Sequence, residues 1–169
     1  MKNLPFPKTP FEIVLHRPEI PPNTGSVARL CACTGSRLHL VAPIGFSIDD
    51  TSLKRAGLDY WEHVYVATHG SLSDALTSLP DRGVHVFTGK AEKTLWEVRF
   101  RPGDILVFGS ESVGLPKEVL DACPERNVAI PMREGRRSLN LSSAVSVALY
   151  EALRQTNTWK GMARADMLP

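Results

Sequence analysis

Residues 104–122 read DILVFGSESVGLPKEVLDA and contain one complete unit of strand, loop and helix. The apolar run within Asp104–Gly109 predicts a strand buried on both faces, because Ile, Leu, Val and Phe follow one another without polar alternation. A loop with two glycines follows, and Pro116 occupies a plausible first position for a short helix over Lys117–Ala122. Strand, loop and helix in this order form the repeating unit of an α/β fold.

The same alternation continues along the chain in both directions. The strand candidates share short apolar runs bounded by Gly, Pro or charge: Phe11–His16, Arg37–Ala42, His63–Thr68, Val84–Thr88, Asp104–Gly109 and Asn127–Ile130. The helix candidates share recognisable end signals: Thr24–Cys33 capped by Asn23, Thr51–Ala56 capped by Asp49 or Asp50, Leu72–Leu79 with a Ser71/Asp74 capping box, Lys117–Ala122, and Asn140 to about Thr156. Helical spacing places six residues on one apolar face of the last helix: Leu141, Val145, Ala148, Leu149, Ala152 and Leu153. The small residues Ala144, Ser146 and Ala148 would let a second helix approach it closely in a dimer. Strands alternating with helices predict a single α/β domain with a mostly parallel sheet flanked by helices.

Length, composition and charge narrow the class of protein. The chain has 169 residues, 43% of them hydrophobic and 22% charged, which is typical of one globular domain and excludes a disordered or coiled-coil chain. A formal charge of +2 means that any contact with nucleic acid depends on a local basic patch. The proline-containing start MKNLPFPKTP lacks the apolar run of a signal peptide, and no segment is apolar enough to cross a membrane. We therefore expect a cytoplasmic protein without membrane contact.

The three cysteines and five histidines show no metal-ligand spacing, so we expect no metal site and mostly buried, reduced thiols. Several familiar sites are also missing from the sequence. No GxGxxG follows a strand, Gly109–Gly114 lacks the lysine of a phosphate-binding loop, and no GxSxG elbow is present.

Three polar, glycine-bearing clusters remain, each at the edge of an apolar element. The first runs from Asn23 to Arg29, where Asn23 is either a helix cap or a functional amide, and Arg29 is either a solvated edge or a functional cation. The second, residues 109–116, is either ordinary turn chemistry or a loop that presents backbone donors and Glu111 to a polar ligand.

The third cluster, residues 130–143, contains two candidate caps for the last helix, Ser138 and Asn140. Helix capping does not require the neighbouring Arg133, Arg136 and Arg137. Three arginines in a glycine-containing loop form either a solvated loop or a set of phosphate contacts.

Taken together, the clusters resemble the three motifs of the SPOUT RNA methyltransferases, and more narrowly those of the TrmL (YibK-like) tRNA (cytidine/uridine-2′-O)-methyltransferases. The resemblance is carried by PEIPPNTGSVARLCACTG (18–35), KRAGLDYWEHV (54–64), LVFGSESVGLP (106–116), and IPM (130–132) with RSLNLSSAVSVALYEALRQ (137–155). It extends from about Phe11 to Gln155. It implies a domain over residues 11–156, with a proline-containing lead over 1–10 and a tail over 157–169.

The resemblance also implies a trefoil knot in the C-terminal part, S-adenosylmethionine as methyl donor without a metal, and a homodimer whose active site uses both chains. Phe87, Gly109, Ile130 and Ser138 match the positions that contact the donor. Arg29 matches the position assigned to catalysis, while Glu111 and Asn140 match positions that shape the pocket. The implied substrate is the wobble cytidine or uridine in the anticodon loop of tRNA, and we expect Arg133, Arg136, Arg137 and Arg154 to contact this RNA.

Two alternatives belong to other classes of protein. One is a catalytically silent RNA-binding protein of the same fold, which the presence of Arg29, Glu111 and Asn140 disfavours. The other is a flavodoxin-like or nucleotide-binding α/β domain, which the missing phosphate-loop motif disfavours.

Overall fold

The computed structural model describes residues 9–47, 63–136 and 138–160. Within these ranges the strands are β1 Glu12–His16, β2 Arg37–Val41, β3 Val66–His69, β4 Val84–Phe87, β5 Ile105–Phe108 and β6 Asn127–Val128. The helices are α1 Pro21–Thr34, α2 Leu72–Thr77, α3 Lys117–Ala122 and α4 Leu141–Thr156. Two 3₁₀ turns, Leu95–Glu97 and Pro124–Arg126, complete the described elements.

The six strands form one sheet in the order β3-β2-β1-β5-β4-β6, and every neighbouring pair is parallel. The predicted fold class, a mostly parallel sheet flanked by helices, is therefore confirmed. Because all strands run the same way, the loops that follow them gather at a single edge of the sheet.

The helices cover both faces of the sheet, which explains the unbroken apolar runs. On one face, Val27 and Cys31 of α1 and Leu149 of α4 pack on Ile13 and Leu106 of the central strands. On the other face, a second cluster joins Ala75 of α2 and Leu120 of α3 to the sheet. The predicted apolar face of the last helix is buried in full: Leu141, Val145, Ala148, Leu149, Ala152 and Leu153.

Strand limits differ from the prediction because a strand needs a paired neighbour. The third strand begins at Val66 rather than His63, since β2 begins at Arg37 and its Leu38 is in register with Val66. β6 has only two residues because β4 ends at Phe87, which pairs with Val128.

Helix starts also differ from the prediction. The first helix begins at Pro21, so Asn23 lies inside the first turn and is not its cap. Pro116 occupies the N-cap position of α3 rather than its first helical position. Asn140 caps α4, and it accepts hydrogen bonds from the backbone N–H groups of Ser142 and Ser143. The helix expected over 51–56 lies outside the described residues.

The cysteines are all free but differ in burial. Cys31 is buried, whereas Cys33 is exposed and Cys123 is partly exposed, so the expectation of mostly buried thiols is wrong. Burial in the core, together with the nearby Glu12 carboxylate, raises the pKa of the Cys31 thiol. This thiol therefore stays protonated and unreactive. Within the described ranges, no helix is long and apolar enough to span a membrane.

Candidate active site

The three polar clusters meet at the carboxyl edge of the sheet. The first occupies the loop after β1 and the start of α1, the second follows β5, and the third follows β6 and leads into α4. β1 and β5 are neighbours in the middle of the sheet, which brings the first two clusters side by side. This edge is where open α/β sheets bind their ligands.

The loop after β5 folds back tightly on itself. Ser110 and Gly114 exchange backbone hydrogen bonds of 2.9 and 3.2 Å, and Gly114 adopts a positive φ of 73°. A Cβ at Gly109 would collide with the backbone of Gly114 and Leu115. The glycine at 109 is therefore required by the loop's own fold, a reason that the sequence did not reveal.

Glu111 ties this loop to the start of α1. Its carboxylate accepts hydrogen bonds from the backbone N–H groups of Glu19, at 2.9 Å, and Ile20, at 3.2 Å. Ile20, the N-cap of α1, has no capping side chain of its own, so Glu111 supplies the acceptor and the negative charge that a helix start favours. The Glu19 carboxylate in turn accepts from the Ser112 backbone N–H at 3.1 Å and from the Ser112 hydroxyl at 2.6 Å.

Asn23 joins all three clusters. Its side-chain Nδ2 donates to Glu111 Oε1 at 3.0 Å, and its Oδ1 accepts from Asn140 Nδ2 at 2.9 Å. Asn140 Oδ1 then accepts from Ser142 at the start of α4. The result is one chain of hydrogen bonds from the loop after β5, through α1, to α4.

Sequence reasoning missed this role of Asn23. The only available signal was an amide near a helix start, which is equally typical of a cap. The structure thus brings Glu111 and Asn140 together through a residue that is only 7% exposed.

Arg29 lies further along α1. It is six residues beyond Asn23, about 9 Å along the helix axis. Its side chain is exposed, on the same side of the helix as the exposed Ser26 and Cys33. The structure therefore places this predicted catalytic cation on an exposed side of α1, six residues beyond Asn23.

The predicted donor contacts follow three neighbouring strands. Phe87 ends β4 and stacks on Phe108 of β5, with ring centroids 4.6 Å apart and planes 7° from parallel. Gly109 follows β5, and the partly buried Ile130 lies two residues beyond β6. Ser138 is exposed just before α4.

Open space borders these loops. An added Cβ would meet no atom within 4 Å at Gly89, after β4, or at Gly135, after β6. Phe87 and Phe108 are themselves 8% and 2% exposed, so this edge offers a ligand mainly loop backbone bordered by open space.

The predicted RNA contacts divide into two groups. Arg133 and Arg136 are exposed on either side of Gly135, whose φ is +77°. Arg137 lies outside the described residues. Arg154 donates two hydrogen bonds, of 2.8 and 2.9 Å, to Glu151, so a nearby carboxylate offsets its charge.

Comparison with known proteins gives one family. The model of the SpoU rRNA methylase family matches residues 10–150. A tRNA (cytidine(34)-2′-O)-methyltransferase of Methylovorus glucosotrophus (strain SIP3-4) is 49% identical over 146 residues, which cover 86% of this chain and 95% of that protein. The same name and identity apply to a relative from Escherichia coli (strain K12), over 86% of this chain and 93% of that protein.

Solved structures give the same fold. One, described as giving structural insights into the 2-OH methylation of C/U34 on tRNA, is 49% identical and has a TM-score of 0.82, covering 89% of this chain and 97% of that one. The SpoU methyltransferase AviRb from Streptomyces viridochromogenes, in complex with the cofactor AdoMet, is 21% identical with a TM-score of 0.76. It covers 90% of this chain and 60% of that one, and it shows the fold alone.

Proposed function

The chain belongs to the SpoU rRNA methylase family, and from that premise we propose that it transfers a methyl group from S-adenosylmethionine to the ribose 2′-hydroxyl of nucleotide 34 of tRNA. Nucleotide 34 is the wobble cytidine or uridine of the anticodon loop. The observation that carries the proposal is the hydrogen-bonded chain Glu111–Asn23–Asn140, which assembles the family's three motif regions into one site. Relatives with nearly half of their residues identical bear the name of this activity, which favours it over a flavodoxin-like domain.

The loops after β4, β5 and β6 hold the donor in this proposal. Phe87 and Ile130 supply apolar surface, while Gly109 and Ser138 place backbone and hydroxyl groups at the rim. When bound, S-adenosylmethionine supplies an electrophilic methyl group on a sulfonium, which is already a good leaving group. The residues of this chain therefore have to align the 2′-hydroxyl and manage its proton. We assign no metal to the reaction.

Glu111 and Asn140 act as positioning residues. Both oxygens of Glu111 accept hydrogen bonds at the start of α1, and the Asn140 amide is engaged with Asn23 and Ser142. These bonds fix the loop after β5 against the start of α4. A site held in this way keeps its groups within the narrow tolerance that alignment of reacting atoms requires.

Arg29 supplies positive charge. A guanidinium keeps its proton in proteins, so a fixed positive charge suits Arg29 better than the role of a base. We assign it to the phosphate beside the reacting ribose, where it also stabilises negative charge that develops on the 2′-oxygen. Its exposed place on α1 suits an active site completed by a second copy of the chain.

That second copy makes the protein a homodimer in this proposal. Val147 and Tyr150 are 41% and 57% exposed on the outer side of α4, where they offer apolar surface to a partner. The small residue Ala148, which the sequence suggested for close helix approach, is instead buried in the protomer's own core. We also propose that the segment before α4 threads through a loop to form the trefoil knot of the related enzymes.

The RNA lies across the exposed arginine loop. Arg133 and Arg136 provide phosphate contacts there, with Arg137 between them and α4 in sequence. An unpaired loop nucleotide is a suitable target because its ribose can be splayed into a pocket.

Methyl transfer from labelled S-adenosylmethionine into total tRNA tests the function. We expect the label in 2′-O-methylcytidine or 2′-O-methyluridine after digestion to nucleosides. Label confined to a methylated base, or no label at all, would overturn the proposal.

A further inference from the structure

Three ionisable side chains form a line across the sheet, on the face covered by α2 and α3. Glu12 lies on β1, His39 on β2 and His69 on β3. Glu12 and His39 stand two residues before Val14 and Val41, which pack in the apolar cluster of that face. The Oε2 atom of Glu12 lies 2.9 Å from Nε2 of His39, and Nδ1 of His39 lies 3.0 Å from Nε2 of His69.

Burial decreases along this line. Glu12 is 0% exposed and His39 is 3% exposed, whereas His69 is partly exposed. Buried ionisable groups are costly unless they are hydrogen-bonded to a partner, and each of these side chains has one. His69 is the end of the line that exchanges protons with water.

Glu12 accepts the hydrogen bond at the buried end. Its other oxygen, Oε1, lies 3.3 Å from Nη1 of Arg82 and 3.9 Å from Nη1 of Arg37. Two guanidinium groups favour a negative carboxylate, which can only accept. Nε2 of His39 therefore carries a hydrogen, and in a neutral ring the other nitrogen, Nδ1, is the acceptor. His69 must then donate from its Nε2.

The histidine pair, His39 and His69, has room for one extra proton but not for two. One extra proton still leaves a single hydrogen between the facing nitrogens, because the ring that stays neutral keeps a lone pair there. A second extra proton puts a hydrogen on every ring nitrogen, so that two N–H groups and two cations face each other across 3.0 Å. The pair therefore takes up its protons in two coupled steps.

Charged and titratable groups on the adjoining elements act on this pair. They are Arg37 on β2, Tyr65 before β3, Asp74 on α2 and Arg82 after α2, with His16 and Arg17 at the end of β1. Burial, and after it the neighbouring His39, lower the pKa of His69, while Asp74 opposes them. Asp74 is thus an alternative partner for a doubly protonated His69.

The edge strand β3 depends on the contact between the two rings. β3 has four residues and lies at the end of the sheet beside β2. The backbone N–H of Leu38 donates to the Tyr65 oxygen at 3.0 Å, and that of Ala42 donates to the His69 oxygen at 2.9 Å. Loss of the side-chain contact at His69 removes support beside the second of these bonds, and short edge elements open locally at low cost.

We propose that the histidine pair is an acid-sensitive switch: its second proton breaks the hydrogen bond between His39 and His69, turns His69 toward Asp74 and loosens β3 from β2. At neutral pH the line from Glu12 to His69 is intact and holds the edge strand. The switch is independent of the proposed function, since none of its residues belongs to the site that this function uses.

NMR of the imidazole nitrogens in the full chain tests the proton count. At about pH 8 we expect a protonated Nε2 and an unprotonated Nδ1 in His39, and a protonated Nε2 in His69. On acidification the pair should take up protons in two steps, the second about one pH unit or more below the first. Two independent titrations near the ordinary histidine pKa of about 6.5 would overturn the switch.

Amide hydrogen exchange measures the loosening of β3. The reference is the N–H of Ile105, which donates to the Gly83 oxygen at 2.8 Å and lies on a central strand. Between about pH 7 and pH 5, exchange at Leu38 and Ala42 should rise about tenfold relative to Ile105, each rate being divided by its intrinsic value. An unchanged ratio would show that β3 does not respond to the pair.

His69→Gln is the variant that isolates the second proton. A Gln side chain can donate to Nδ1 of His39 but binds no proton, so the rise in exchange should disappear while the ratio at neutral pH stays the same. His63→Gln, at an exposed position outside the pair, is the matched control and should keep the rise. A rise that persists in His69→Gln, or that is lost in His63→Gln, would contradict the switch.

The outcome does not depend on the stability of a variant or on methyl transfer. The nitrogen titration uses the unaltered protein, so it decides the question even where His69→Gln is poorly folded. A protein that transfers no methyl group but shows both coupled steps and the rise in exchange would overturn the proposed function alone. A protein that methylates tRNA with two independent histidine titrations would overturn the switch alone.

Discussion

At the scale of single residues, Asn23 holds the site together. Its amide nitrogen donates to Glu111 and its amide oxygen accepts from Asn140. A residue of similar shape that lacks either the donor or the acceptor therefore cannot replace it. The two partners belong to loops 88 and 117 residues away in sequence. One side chain thus couples three distant segments.

Replacing Asn23 is expected to destabilise the fold and lower activity. Asn23→Ala removes the part-buried hydrogen bonds to Glu111 and Asn140, so we expect a loss of about 1–2 kcal/mol in the free energy of unfolding. Asn23→Asp should cost more at neutral pH, because it sets a second carboxylate against Glu111. Urea unfolding of both variants measures this order.

Ser26→Ala serves as the control for that comparison. The Ser26 hydroxyl bonds only within α1, to the Pro22 oxygen at 2.9 Å, on the exposed side. If Asn23→Ala proves as stable as this control, the coupling role of Asn23 is wrong.

Arg29 distinguishes two mechanistic roles. If Arg29 is an electrostatic anchor, Arg29→Ala should lower turnover about 100-fold or more. Arg29→Lys should retain part of the rate, because Lys keeps the charge. If Arg29 is a base, Arg29→Lys should match or surpass it at elevated pH, since the ordinary Lys pKa is near 10.4 and Lys loses its proton more readily than Arg. Donor affinity should stay unchanged in both variants.

Single-turnover rates for the Arg29→Lys and Arg29→Ala variants between about pH 6.5 and 9.5 decide between these roles. Wild-type-like turnover in a folded Arg29→Ala variant would remove Arg29 from the mechanism.

At the scale of elements, α4 shows what periodicity can predict. All six residues that helical spacing placed on its apolar face are buried, because a 3.6-residue period fixes which side chains share a face. The opposite face carries the exposed Val147 and Tyr150, which the proposed homodimer would bury.

In the proposed homodimer, Tyr150→Asp should therefore cause the two copies to dissociate and should abolish methyl transfer. A charge placed in an apolar contact costs too much to bury without a partner. Analytical ultracentrifugation with a parallel activity assay tests this, with Thr77→Asp, on the exposed side of α2, as control. A variant that sediments as a monomer and keeps full activity would show that one copy suffices.

Local pattern could not predict contacts between distant elements. The strands and their parallel arrangement follow from apolar runs, whereas the cap of α1 comes from Glu111, 91 residues beyond Ile20. For the same reason local pattern cannot decide whether Asn23 is a cap or a functional amide, and it does not predict the close contact of Gly109 with the backbone of Gly114. The family resemblance implies roles for Glu111 and Asn140, and the hydrogen bonds that join both residues to Asn23 emerge only from the fold.

At the scale of the whole molecule, two histidines set a pH dependence of stability. Burial, reinforced by Arg17, lowers the pKa of His16. Burial and the neighbouring His39 lower that of His69, against an opposing influence of Asp74. The Nε2 of His69 lies 3.0 Å from the Nδ1 of His39, and the Nε2 of His39 lies 2.9 Å from Oε2 of the buried Glu12.

A histidine whose pKa is lower in the folded protein than in the unfolded chain favours the fold only at a pH where its ring is neutral. The unfolded chain takes up protons as the pH falls through 6.5, before the folded protein does, so the free energy of unfolding should fall from pH 7 toward pH 5. Asp104 contributes at lower pH, because its depressed pKa stabilises the fold until the carboxylate itself is protonated.

Denaturant unfolding across this range measures the effect. The His69→Gln variant should lose stability less steeply than the unaltered protein, while His63→Gln, at an exposed position, should follow it. Identical slopes for the unaltered protein and His69→Gln would contradict this assignment.

The central claim, that this site methylates the 2′-hydroxyl of nucleotide 34, is tested most directly with two matched tRNA transcripts. One carries an ordinary ribose at position 34, and the other carries 2′-deoxyribose there, so that they differ by a single oxygen atom. With labelled S-adenosylmethionine, the account predicts incorporation into the first transcript, mapped to nucleotide 34, and none into the second. Equal incorporation into both would contradict it, because the methyl group would then be reaching another atom.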